Sequence, residues 1–203
     1  MRLSKGFCAI VVVFLILLTD QILKIWVKTH MMLYEDIRIT NWFLIRFVEN
    51  NGMAMGIEVI GKLFLSVFRI AASLWIIYYL YQLVKNNFSL GYILSVSMIF
   101  AGAIGNIIDS IFYGVIFNES TPYTVAALFP PEGGYGSWLH GKVVDMFYFP
   151  LFEFTWPSWI PWMGGTDFVF FRYIFNLADA SISVGITLLL LFYRNTLSKS
   201  FGK

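Results

Sequence analysis

Four aspartates could do chemistry in this chain, because each lies in or beside a stretch with few other charges: Asp20, Asp109, Asp145 and Asp179. Ionised groups are costly in apolar surroundings and are functional candidates by default. Each also has a structural reading. Asp20 and Lys24 are i, i+4 on one helix face and read first as a structural pair. Asn106 with Asp109, and again Asn176 with Asp179, repeat an i, i+3 spacing, and Gly102 and Gly105 ahead of the first pair permit close helix contact. Asp145, in Gly141-Lys142-Val143-Val144-Asp145-Met146, is equally readable as a solvated loop acid. Asp179 has no base in the following turns, so it calls for another group to share its charge. Two carboxylates sharing one proton would meet that need and make a catalyst, one staying protonated while the other activates water against a peptide carbonyl. Asp145 and Asp179 are the natural choice, and such a pair titrates as a unit.

Other hydrolytic chemistries fit less well. There is no His-Glu-x-x-His, and two histidines (His30, His140) with one cysteine (Cys8) cannot assemble a zinc site from the usual ligands. Gly136-Ser137-Trp138 lacks the following glycine of a serine nucleophile turn, and His140 reads as an interfacial loop residue. The expected site therefore uses neither metal nor cofactor.

The elements that must position these residues follow from composition. Of 203 residues 59% are hydrophobic, 19% aromatic and only 13% charged, against about a quarter charged in a soluble domain. With a mean hydropathy of +0.73, the natural solvent of the chain is lipid. A net charge of +2 and the lack of any Lys/Arg run exclude a nucleic-acid partner. Four stretches are long and apolar enough to span a bilayer core of about 30 Å: about 6–27, 63–84 (with Arg69 its one charge), 88–110 and 172–193. The basic start could open a cleavable signal peptide, but no small-x-small site follows, so the first helix is expected to remain.

Six basic and no acidic residues fall on the two termini and the 85–89 loop, so both termini are expected in the cytoplasm, with outer loops 28–62 and 111–171 on the other side. Asp20 then lies about 21 Å up the first helix, and Asp179, seven residues in from Arg172, lies about 10 Å below the outer surface. All four acids converge on the outer leaflet. In the first loop, residues 39–48 alternate into Asn50-Asn51-Gly52, which predicts a β-hairpin turning there. Residues 146–162 are broken by Pro150, Pro157 and Pro161 and read as an aromatic interface loop. The expected fold class is a mainly α membrane protein: one domain of four transmembrane helices with an extracytoplasmic β-hairpin or cradle and long outer loops.

At these same residues the chain resembles the lipoprotein signal peptidases, or signal peptidase II. The match runs in order through Thr19-Asp20-Gln21-x-x-Lys24, Asn50-Asn51-Gly52-Met53-Ala54-Met55-Gly56, Gly102-Ala103-Ile104-Gly105-Asn106-Ile107-Ile108-Asp109, Gly141-Lys142-Val143-Val144-Asp145 and Phe175-Asn176-Leu177-Ala178-Asp179-Ala180. The resemblance implies an aspartic endopeptidase of the bacterial cytoplasmic (inner) membrane. It would cut the signal peptide of a diacylglyceryl-modified prolipoprotein just before the lipidated cysteine, with membrane lipids around it. By position, Asp145 and Asp179 match the catalytic dyad. Asp20, Lys24, Asn50, Gly52, Asn106, Asp109, Val143 and Asn176 match positions that bind substrate or support the site. Where the family usually has Arg after the third-helix Asp, this chain has Ser110, and Lys142 or Arg172 is the expected substitute. Met55 stands where the family segment has Phe, and stretches 110–140 and 150–172 are longer than expected. Hairpin 37–59 and loop 146–171 are expected to clamp the substrate and exclude water.

The alternative from another class is a small proton-coupled transporter or assembly protein, in which buried acids line an ion path. Its acids would sit near the midplane between inverted repeats, whereas these cluster on one side and no repeat is visible. No small-xxx-small pattern outside the third span argues for a dimer, so a monomer is expected.

Overall fold

The computed structural model describes residues 3–50 and 62–201. Lys5–His30 forms α1, opened by Ser4, whose Oγ accepts the Phe7 N–H at 3.1 Å and so satisfies one orphan donor of the first turn. Lys62–Lys85 forms α2 and Leu90–Ile108 forms α3. Lys5 Nζ donates to the Asn87 and Phe88 carbonyls at 3.1 and 2.7 Å, tying the start of α1 to the turn between α2 and α3, on one side of the bundle as the span order requires. The third helix continues through one π-helical turn, Asp109–Tyr113, into the short α4, Gly114–Ile116.

Leu177–Phe192 forms α5, and the chain then bends by 94° into α6, Arg194–Phe201. Among the described residues α1, α2 and α3 are each long and apolar enough to cross a membrane, and the bent α5–α6 pair is the fourth candidate. The expected start of the fourth helix at Arg172 is corrected by five residues, because Ile174–Phe175 is a strand paired with residues 147–148 and the helix begins only after Asn176 caps it. Asp179 is thus in the first turn of its helix rather than seven residues down it.

Helices α3 and α5 pack on small residues. A Cβ on Gly102 would sit 2.2 Å from the Ala178 carbonyl oxygen, and one on Gly185 2.7 Å from that of Ser95. These glycines let the two backbones touch where no larger side chain fits. One apolar cluster, including Ala9, Leu83, Tyr92, Ile93 and Leu189, closes the bundle near the α2–α3 turn. A second, including Val27, Phe47, Tyr113, Phe117, Val144 and Met146, joins the far end of α1 to a β-sheet.

That sheet is four-stranded and antiparallel, in the order β1 (Asp36–Arg38), β2 (Leu44–Asn50), β3 (Val143–Tyr148), β6 (Ile174–Phe175). The alternating ribbon read from the sequence is therefore a hairpin, but its turn is at 39–43. There the Ile39 and Thr40 N–H groups both donate to the Phe43 carbonyl, and the Asp36–Arg46 ion pair locks directly opposed residues. Gly52, and the remainder of the expected hairpin 37–59, lie outside the described residues. Residues 146–162 are likewise not an irregular loop throughout: β4 (Phe152–Thr155) pairs with β5 (Asp167–Phe170) as a separate hairpin, its prolines all outside the strands. The long 117–142 segment is held by ions and rings. Lys28, buried, bonds Glu49 and Ser120 and lies 5.1 Å from the Tyr135 ring centre, while Lys142 reaches the same ring at 5.2 Å and Glu49 at 3.3 Å.

Candidate active site

Polar side chains gather between the two apolar clusters, where α1, α3, the start of α5 and β3 meet. One turn of α1 carries Asp20 and Lys24 toward α3. There Lys24 Nζ lies 3.0 Å from Asp20 Oδ2, 2.9 Å from Asp109 Oδ2 and 3.0 Å from Asn106 Oδ1, with all three charged side chains fully buried. Buried charge is tolerated when it is paired and hydrogen-bonded, and every oxygen here has a donor. Asp20 Oδ1 accepts the Ala178 N–H at 2.9 Å, Asp109 Oδ1 accepts from Gln21 at 3.1 Å, and Asp109 Oδ2 accepts the Val144 N–H at 3.3 Å. The Asp20–Lys24 pair is thus the hub of a larger group that joins four elements, and Asp109 belongs to it.

From that hub an amide relay leads outward. Asn106 Oδ1 accepts from Lys24, and its Nδ2 donates to Asp179 Oδ1 at 2.8 Å. Asn176 Nδ2 donates to Asn106 Oδ1 at 3.1 Å and to Asp145 Oδ1 at 2.7 Å. Asn176 also caps α5: its Oδ1 accepts the Asp179 N–H at 2.9 Å while Asp179 Oδ2 accepts the Asn176 N–H at 3.3 Å, a reciprocal capping box. Asn50 Nδ2 donates to Asp145 Oδ2 at 3.1 Å. The relay brings Asp145, from a strand, and Asp179, from a helix N-terminus, to one site.

The sheet sets the direction of Asp145. Leu44 and Ile45 pair with Tyr148 and Phe147, but Val48 pairs with Asp145, so the register slips by one residue between Ile45 and Val48. A one-residue slip exchanges the faces of a strand, and beyond it Asn50 stands opposite Val143 with its amide on Asp145. Val143 is buried and acts through this backbone pairing. Burial, and next the charge of Asp179, push the Asp145 carboxyl up to about 7, against the pull of the Asn50 and Asn176 donors. Asp145 is 4% exposed, whereas Asp179 is only partly covered. One acid is therefore inclined to hold a proton near neutrality beside a more accessible partner. This is an arrangement for moving a proton, and among the described residues no three His, Cys, Asp or Glu side chains are placed to hold a metal.

A family model described as "Signal peptidase (SPase) II" matches residues 12–194. The chain belongs to the signal peptidase II family. A lipoprotein signal peptidase of Porphyromonas gingivalis is 54% identical over 198 residues, covering 97% of this chain and 87% of that protein. One of Amoebophilus asiaticus is 37% identical, covering 91% and 76%. A bacterial membrane enzyme solved by the in meso method at 2.3 Å shares the fold, with a TM-score of 0.63 at 22% identity over 95% of this chain and 91% of that one.

Within this signal peptidase II chain, two expectations about the cation near the site are corrected. Lys142 is engaged with Glu49 and Glu119, and Arg172 is exposed in a groove with Trp156 and Asp167, so neither faces the carboxylates. Ser110 is buried and donates to the Asn106 carbonyl at 3.0 Å. Arg69 of α2, half-buried, joins Lys24 as a cation whose charge acts on these carboxylates. Its signal was in the sequence: a lone charge in an apolar span is a functional candidate whether acidic or basic. Ser137 and His140 do meet, at 3.0 Å, but in an exposed loop where the same Nδ1 lies 2.9 Å from the Trp138 carbonyl.

Proposed function

We propose that this chain is an aspartic endopeptidase that removes the signal peptide from diacylglyceryl-modified prolipoproteins, cutting before the lipidated cysteine, with Asp145 and Asp179 as its catalytic pair. The observation that carries this reading is the amide relay. Asn106 and Asn176 hold two carboxylates, one from a strand and one from a helix, with one hydrogen bond from the described residues on each carboxylate oxygen. In the reaction the ionised carboxylate takes a proton from water as the water oxygen attacks the scissile carbonyl carbon, and the protonated carboxyl gives its proton to the carbonyl oxygen. Collapse of the tetrahedral intermediate breaks the C–N bond: the carboxyl that took the water proton gives it to the departing cysteine nitrogen, and a hydroxyl of the intermediate, becoming the new carbonyl, gives its proton to the other carboxylate. The pair again holds one proton and is ready for another turnover.

The Lys/Arg bias supports a multi-pass protein of the inner membrane that has both termini in the cytoplasm and works at the outer leaflet. The aromatic side of the sheet supports a clamp. Phe43 stacks on Phe149 at 4.7 Å and Phe149 on Phe175 at 5.7 Å, next to the strand that carries Asp145. The deciding experiment is a gel-shift assay of the purified enzyme on a diacylglyceryl-modified prolipoprotein. Wild type is expected to cleave, and Asp145→Asn and Asp179→Asn, shown to be folded, are expected to lose at least ~10³-fold in rate. Near-normal cleavage by either variant makes that residue structural and removes the assignment.

A further inference from the structure

Asp20, Lys24 and Lys28 recur every four residues along α1 and so share one face. The first two serve the hub, whereas Lys28 ion-pairs with Glu49, the residue of β2 immediately before Asn50. Both side chains are almost fully buried. The Lys28 ammonium also donates to Ser120 Oγ at 2.8 Å and has the rings of Phe47, Phe117 and Tyr135 around it, their centres 6.0, 5.2 and 5.1 Å away. Ser120 in turn donates to Glu49 Oε1 at 2.8 Å. Glu49 Oε2 receives no hydrogen bond among the described residues, and Lys142 Nζ stands 3.3 Å from it. Ser120, Tyr135 and Lys142 all belong to the long 117–142 segment, which the cleavage mechanism leaves without a task.

Strand alternation decides what this pair can do. Glu49 stands opposite Val144 and faces α1 together with Phe47, whereas Val48 and Asn50 share the other face with Asp145. Adjacent residues of one strand thus reach a buried cation on one side and the carboxylate pair on the other. A slip of β2 by one residue would exchange them, turning Asn50 toward Lys28 and setting the Glu49 carboxylate beside Asp145 and Asp179. The strand has reason to be pinned here, because its pairing with β3 already shifts once between Ile45 and Val48. We infer that the Lys28–Glu49 pair is a register lock, which holds Glu49 on the α1 side and thereby keeps the Asn50 amide on Asp145. The inference rests on the peptidase reading above. Lys28 and Glu49 bond each other and the outer segment, so they are positioning residues that act on Asp145 through Asn50. A buried ion pair adds little stability over apolar side chains of similar size, and fixing register is its best-attested use. In the slipped register a third carboxylate would replace the amide donor, and the ammonium would lose its anion.

The test is steady-state cleavage of diacylglyceryl-modified prolipoprotein across pH, with the melting temperature measured alongside. Lys28→Met combined with Glu49→Leu removes both charges together, so neither is left buried without its partner. This charge-free pair is expected to lower kcat about tenfold, the worth of one hydrogen bond to a charged group, with KM within about threefold. Asp145 is faced by the charges of Asp179 from α5, Lys24 from α1 and Arg69 from α2, and by the Asn50 and Asn176 amides. Of these only the Asn50 donor should be lost. Losing a donor to the ionised form raises a carboxyl, so the decline of kcat/KM at high pH should move up by about one pH unit. Asn50→Ala should show the same two changes, and adding it to the charge-free pair should deepen neither. Ser120→Ala, which trims the pair without leaving a buried charge alone, should move both readouts the same way by less, and it decides the question if the charge-free pair does not fold. A lower melting temperature with kcat and the pH limb unchanged makes the pair merely structural and overturns the inference, as do additive losses in the combined variant. Asp145→Asn and Asp179→Asn report on the peptidase reading separately. Cleavage by either sinks that reading, whereas their inactivity beside an unshifted charge-free pair sinks only the lock.

Discussion

Asp145 is the residue at which stability and chemistry pull apart. Its carboxyl, pushed up from 3.8 to about 7 in the fold, binds its proton more tightly folded than unfolded. Folding stability should therefore fall as pH rises from about 4 to about 7, by about 1.4 kcal/mol per pH unit at the steepest, and stay reduced above. Thermal unfolding of the purified protein across that range checks this; in Asp145→Asn the corresponding slope should be absent. Because the proposed pair needs one proton, kcat/KM should decline above about pH 7, tenfold per unit in the limit. A profile flat to pH 9 would refute the shared-proton mechanism. Lys24 makes the opposite case: Lys24→Met leaves Asp20 and Asp109 buried without their cation, and a loss of about 3–5 kcal/mol is expected, read as a collapsed melting temperature. The four acids were legible in the sequence because charge is conspicuous in an apolar chain. Their division was not. Only the contacts of Lys24 reveal that two acids are held by a cation while the other two are held by amides.

At the scale of elements, the first three helices were legible because twenty apolar residues admit few other fates in this composition. The fourth was misjudged at its start, since Ile174 and Phe175 are as apolar as a helix but are claimed by β3. Hydrophobic pattern alone cannot separate those outcomes. The ribbon in the first loop showed its period but not its turn, because the register is set by pairing with β3, about a hundred residues away. The β4–β5 hairpin was hidden by prolines that bracket it rather than break it. Its exposed rings, with Trp159 79% and Trp162 100% exposed, suit the lipid–water boundary. Replacing residues 156–166 by a two-residue turn should leave melting nearly unchanged, since little is buried there, yet lower turnover of lipidated substrate by ~10-fold or more. Unchanged turnover would mean that the hairpin is no part of the clamp.

For the whole molecule, the arrangement expected in the membrane can be probed without any assay of cleavage. In a Cys8→Ser background, a cysteine at Tyr123, 88% exposed on the long outer segment, should react with a membrane-impermeant thiol reagent added to intact cells. A cysteine at Lys199 should react only after lysis. The reverse pattern would invert the topology read from the Lys/Arg bias.

The Asp20–Ala178 hydrogen bond spans 158 residues of chain, and that separation bears on how the protein is made. At roughly 5–20 residues per second, α1 is in the bilayer for roughly ten seconds or more before the amide that will receive Asp20 has been synthesised. Through that interval Lys24, one turn along the same helix, and the adjacent Gln21 are the partners that Asp20 carries with it. The ion pair lets the first helix travel as a nearly neutral segment, and it later becomes the socket into which α5 docks. With Asp179 in the proposed pair, a nascent chain stopped before Leu177 is expected to insert and wait without cutting substrate until α5 has been made.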